Sequence, residues 1–83
     1  MSTTKRILEV LEVIYDDEGR SAAEIAAVVG ELPMLVEEWL QHLRIDGQVI
    51  ERLPPDGGST ARWYCSVQGY KTVDWLHQYY SLV

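Results

Sequence analysis

The stretch from Ser21 to Gly47, SAAEIAAVVGELPMLVEEWLQHLRIDG, constrains this chain more than any other, because it spells two short helices joined by a tight turn. Ser21 can cap a helix, and Glu24 three residues later completes a Ser-x-x-Glu capping box ahead of the apolar Ile25, Val28 and Val29. Gly30 ends that helix, since glycine takes the left-handed conformation of a C′ position at little cost. Pro33 suits the first turn of the next helix, which closes at Asp46-Gly47. Along it Leu32, Val36, Leu40 and Leu43 recur at the spacing of one helical face.

Upstream, a helix is expected from about Ser2–Thr4 to Asp16, with Asp17-Glu18-Gly19-Arg20 as a loop. At roughly 100° per residue, Ile7, Leu8, Val10, Leu11, Val13, Ile14 and Tyr15 cover more than half its circumference and leave a narrow stripe of Lys5, Glu9, Glu12 and Asp16. Either self-association or a covering C-terminal helix accounts for so wide an apolar arc. Downstream, Val49, Glu51 and Leu53 alternate with Ile50 and Arg52, while Ala61, Trp63, Cys65 and Val67 alternate with Arg62, Tyr64 and Ser66. Pro54-Pro55-Asp56-Gly57-Gly58-Ser59-Thr60 lies between these runs as a loop longer than a two-residue hairpin. From Val67 a last helix should carry Tyr70, Val73, Trp75, Leu76, Tyr79, Tyr80, Leu82 and Val83.

The order Ser-Ala-Ala-Glu-Ile-Ala-x-x-x-Gly, Val36, Leu40, Leu43, Gly47 and Val49 resembles the helix-turn-helix of small bacterial winged-helix transcriptional regulators. Gln48 to Leu53 and Ala61 to Val67 resemble the two wing strands, the Pro-Pro-Asp-Gly-Gly segment the wing tip, and Ser66-x-x-Gly69 the start of the helix that leaves the wing. The resemblance spans nearly the whole chain. It implies a single α+β, mostly helical domain over residues 1–83: a winged helix-turn-helix with three N-terminal helices, a two-stranded β wing and a C-terminal helix. It also implies DNA binding and transcriptional regulation.

Composition pulls the other way on partners. Thirteen acidic against seven basic residues give a formal charge of −6, whereas DNA-binding domains gain much of their affinity by neutralising phosphates with Lys and Arg. If DNA is bound, phosphate contacts are expected from Arg52 and Arg62 of the wing and from Lys5 or Arg6. Arg52 and Arg62 could equally form a solvated rim. With Val36, Leu40 and Leu43 turned inward, the second helix of the motif offers Met34, Glu38, Gln41 and Ile45 outward. Gln41 could bond adenine, and Glu38 could accept from cytosine. No outward position is Lys or Arg, and Glu31, Glu37 and Glu38 crowd the helix N-terminus, where a phosphate would otherwise be welcome.

That face also suits a protein partner, because Met34, Leu35 and Ile45 form an apolar centre ringed by Glu37, Glu38, Gln41 and His42. Trp39 lies between the faces and is expected in the core; His42 reads as an exposed shoulder. The sequence therefore supports two functions: a small DNA-binding regulator, and an acidic winged-helix interaction module that binds a protein or itself. Three Trp and five Tyr without Phe are a heavy aromatic load for 83 residues. A homodimer built from the terminal helices with Trp75 and Tyr79 as anchors is expected, against simple packing of those aromatics on the first helix.

Nothing reads as catalytic: there is no Gly-rich phosphate loop, no cysteine pair, no His-x-x-x-His spacing and no nucleophile elbow. No cofactor or metal is expected, since Cys65, His42 and His77 are far apart in sequence. The lone Cys65 excludes an internal disulfide and fits a buried thiol in a reducing compartment. The N-terminal residues Met1 to Arg6 lead into a pattern broken by Glu9 and Glu12, unlike a signal peptide or membrane span, and a cytoplasmic location is expected.

Overall fold

The computed structural model describes residues 3–81, with side chains as far as Tyr79. In chain order the elements are α1 (Thr3–Asp16), α2 (Ala22–Val29), α3 (Pro33–Ile45), β1 (Val49–Arg52), β2 (Arg62–Cys65) and α4 (Val67–Ser81). This is a winged helix-turn-helix, and its turn is built by local chemistry. Ser21 Oγ accepts the Glu24 N–H at 3.2 Å and Glu24 Oε1 accepts the Ser21 N–H at 3.1 Å, which closes the capping box. Gly30 sits at φ 73°, ψ 41°, and its N–H and that of Glu31 both reach the Ala26 carbonyl. Pro33 then opens α3.

Two positions of the helix-turn-helix differ from the expected pattern. Leu32 is not part of the inward stripe: it is the extended N-cap before Pro33 and is 72% exposed, whereas Val36, Leu40 and Leu43 are buried and Trp39 is in the core with them, as expected. In α2 the capping box sets the phase so that Ala22, Ile25 and Ala26 are buried, leaving Val28 outside.

The wide apolar arc of α1 is covered within the chain. Val10, Leu11 and Ile14 are fully buried, Ile7, Val13 and Tyr15 pack against the core, and α1 touches α2, α3, β2 and α4. It acts as the central helix, so its composition requires no second copy. Tyr15 fastens it to α4: its hydroxyl donates to Asp74 at 2.7 Å, and its ring meets Tyr70 and His77 edge-on. His77 also lies 3.0 Å from Glu12. Ser2, the side chain of Tyr80, Leu82 and Val83 fall outside the described residues.

The wing is antiparallel, with Val49 opposite Cys65, Ile50 opposite Tyr64, Glu51 opposite Trp63 and Arg52 opposite Arg62. Val49, Trp63 and Cys65 point into the core. The strands are shorter than the sequence pattern suggests. Val67 is no inward strand residue but the exposed first residue of α4, because Ser66 caps that helix by accepting the Gly69 N–H. The expected loop before α2 joins the wing as well: Arg20 bridges Trp63, the Trp63 N–H donating to the Arg20 carbonyl at 3.0 Å and the Gly19 N–H to the Trp63 carbonyl at 2.9 Å.

Candidate nucleic-acid interface

The second helix of a helix-turn-helix meets DNA through its outward face, which makes α3 and the surfaces beside it the candidate interface. Burying Val36, Trp39, Leu40 and Leu43 leaves Met34 81% and Ile45 77% exposed, with Glu37, Glu38 and His42 also on the surface and Leu35 half-buried. Gln41 is half-buried and accepts a hydrogen bond from Arg44 Nε at 2.9 Å. Between α3 and the wing runs a groove of about 620 Å³, with Pro33, Glu37, Glu38 and Gln41 on one wall and Glu51 on the other. Three carboxylates therefore line it and no Lys or Arg does. A phosphate entering it would meet like charge.

The cations lie outside that groove: Arg6, Arg20 and Arg62 are paired with carboxylates, and Arg44 on α3 donates to Gln41 without a carboxylate partner among the described residues. Arg6 does not stand free for a phosphate: its Nη1 pairs with Glu9 at 2.5 Å and its Nη2 with Glu31 and the Val29 carbonyl, both at 2.8 Å. The Glu31 carboxylate, above all, raises its pKa. This clamp pins the start of α1 to the α2–α3 turn. Arg62 faces back over the body as well, donating to the Gly19 carbonyl at 2.6 Å with Glu24 Oε1 3.9 Å away. Arg52 and Arg62 are register neighbours on the two strands, as the alternation suggests, with Arg62 turned to the Gly19 carbonyl and Arg52 without a side-chain partner among the described residues. Arg20 pairs with Asp17 at 2.8 Å. Lys5, Arg52 and Lys71 hold no hydrogen-bond or ion-pair partner among the described residues, and they lie on three different elements.

Two participants were missed from the sequence. Glu51 reaches the groove only because the wing folds beside α3, which the strand alternation could not reveal. Leu32 was legible: a residue directly before a proline at the first helical position is the N-cap, and its side chain is outside the inward stripe. It lines, with Pro33, Met34, Leu35 and Glu38, an apolar depression of about 430 Å³. On α4, Trp75 and Tyr79 are 59% and 52% exposed and stack on each other at 5.4 Å between ring centroids.

Cys65 is buried, and burial first, then nearby Glu18, pushes its thiol up to about 11. Among the described residues no three His, Cys, Asp or Glu side chains gather as a metal-binding group, and no helix is long and apolar enough to cross a membrane.

No family model matches the chain, and no curated protein is similar to it in sequence. Solved structures are similar in fold. A Staphylococcus aureus MepR mutant superposes with a TM-score of 0.88 at 13% identity, over 98% of this chain and 59% of that one. The transcriptional repressor CouR bound to a 23-mer DNA duplex gives 0.79 at 21% identity, over 86% and 50%. A second Staphylococcus aureus MepR mutant, bound to an oligodeoxyribonucleotide, gives 0.86 at 14%, over 92% and 56%. The present chain thus spans between half and three fifths of the length of the structures it matches. At these identities the likeness establishes the winged-helix fold.

Proposed function

We propose that this chain is a DNA-binding transcriptional regulator that places α3 in the major groove. The observation that carries this reading is the likeness over 98% of the chain to a MepR structure, together with similar structures solved on DNA. Gln41 and Glu38 are the side chains suited to base edges, as acceptor-and-donor to adenine and acceptor from cytosine. Arg52 on the wing and Lys5 at the start of α1 supply the phosphate contacts. Arg6 and Arg62 contribute only if they release their internal acceptors. Pairing through α4 would give two such units on one duplex.

Fluorescence anisotropy of a mixed-sequence duplex, titrated at low and at near-physiological salt, tests this. Binding at low salt with a log–log salt slope of about −2 per chain is expected from two phosphate contacts. Arg52→Ala with Lys5→Ala should flatten that slope. Flat anisotropy at low salt overturns the proposal.

One observation favours a second reading, in which α3 meets a protein: Leu32 and Met34 are 72% and 81% exposed side by side, next to Glu37 and Glu38.

A further inference from the structure

The apolar depression at the start of α3 and the carboxylate groove beside the wing are one continuous surface. Pro33 and Glu38 border both. At one end Leu32 and Met34 stand out as adjacent large apolar side chains on a rigid helix start. At the other, Glu37, Glu38 and Glu51 face the same groove. None of the three has an ion-pair partner among the described residues, whereas Glu31, the fourth carboxylate nearby, is already matched by Arg6.

Charge selects the occupant. Three unmatched carboxylates oppose an anionic lipid surface, and they keep phosphates out of this groove, so a duplex on α3 takes its phosphate contacts outside it, from Arg52 and Lys5. A second copy of this chain carries −6 and would bring the same acidic rim. We infer that the surface docks a cationic, amphipathic segment of a partner protein, with apolar side chains on Leu32 and Met34 and its Lys or Arg residues along Glu37, Glu38 and Glu51. This rests on the reading in which α3 meets a protein, and it adds the chemistry of that protein. Because α3 can hold only one occupant, the segment also displaces α3 from any duplex. Apolar anchoring supplies the affinity, while the charges set the choice of partner and the approach.

Three labelled helical peptides test it by anisotropy: one with leucines at i, i+3, i+4 and i+7 and lysines elsewhere, one with glutamates replacing the lysines, and one with serines replacing the leucines. The Leu/Lys peptide should bind; the other two should bind at least about tenfold more weakly, the least that removing an anchoring contact is worth. Leu32→Ser with Met34→Ser, and separately Glu37→Gln with Glu38→Gln, should each weaken the Leu/Lys peptide by a similar factor. All four positions are exposed, so unchanged thermal melts would show the fold intact. Preference for the Leu/Glu peptide would overturn the cationic partner while leaving α3 as a protein-binding face. Binding of none of the three would overturn both. Equal binding of the Lys/Ser peptide, or no effect of the Leu32 and Met34 changes, would reduce the interaction to unspecific charge attraction and overturn the inference.

Discussion

A methyl group placed on Gly69 would stand 2.1 Å from the carbonyl oxygen of Gln48. That oxygen already accepts the Ser66 N–H at 3.0 Å, while Ser66 Oγ accepts the Gly69 N–H and donates to the Gly47 carbonyl. The first turn of α4 is thereby pressed onto the start of β1, and only glycine permits that approach. The obstacle is backbone, which cannot swing aside as a flexible side chain does. Gly69→Ala should cost about 2 kcal/mol or more through the forced displacement, read as a lowered denaturation midpoint. An unchanged midpoint would show that α4 can lift off β1 without loss.

Stability should depend on acid through Glu24. Its carboxylate accepts the Ser21 backbone N–H, which lowers its pKa first, with the Ser21 hydroxyl second and Arg62 contributing. A pKa lowered by folding adds stability above the ordinary value of 4.5, and that stability is lost as pH falls through the folded value. Glu24→Gln should therefore lose less stability than the parent as pH falls below 4.5. Ser21→Ala, which removes the reciprocal cap, should cost about 1 kcal/mol at neutral pH. Parallel acid profiles for parent and Glu24→Gln would remove the capping box from the account.

The stacked pair Trp75 and Tyr79 is the surface on which self-association is expected to rest, now that α1 is covered by the chain itself. Sedimentation equilibrium should show a dimer that Trp75→Ser with Tyr79→Ser shifts to monomer, both side chains being outside the core. An equally dimeric variant would move the contact off α4.

Cys65 should resist thiol reagents. With its pKa pushed up to about 11, little thiolate exists near neutral pH. Labelling of the folded protein at about pH 8 should lag far behind that of a free cysteine and recover in denaturant. The same shift makes the neutral thiol the favoured form in the fold. Its contribution to stability is thus full below the ordinary value of 9.0 and lost as pH rises towards 11. Rapid labelling of native protein would mean that the β2 edge opens readily.

The sequence by itself determined the parts whose causes are local. Ser21 with Glu24, Gly30, Pro33, the stripe of Val36, Leu40 and Leu43, and the inward Trp63 and Cys65 all encode their conformation within a few residues, so the helix-turn-helix and wing could be read in order. Tertiary structure decided everything that depended on which distant group came near. Arg6 closes on Glu31 across 25 positions and Arg62 on Gly19 across 43, and each pairing turns an expected phosphate contact into internal bracing. The same holds for the bridge from Arg20 to Trp63, the approach of Gly69 to Gln48, and the meeting of Glu51 with Glu37 and Glu38. A charged side chain takes whichever acceptor the fold brings within reach. Helical period gives the face of an element but not its neighbour, so the electrostatic character of the α3 surface became definite only when wing and helix were packed together.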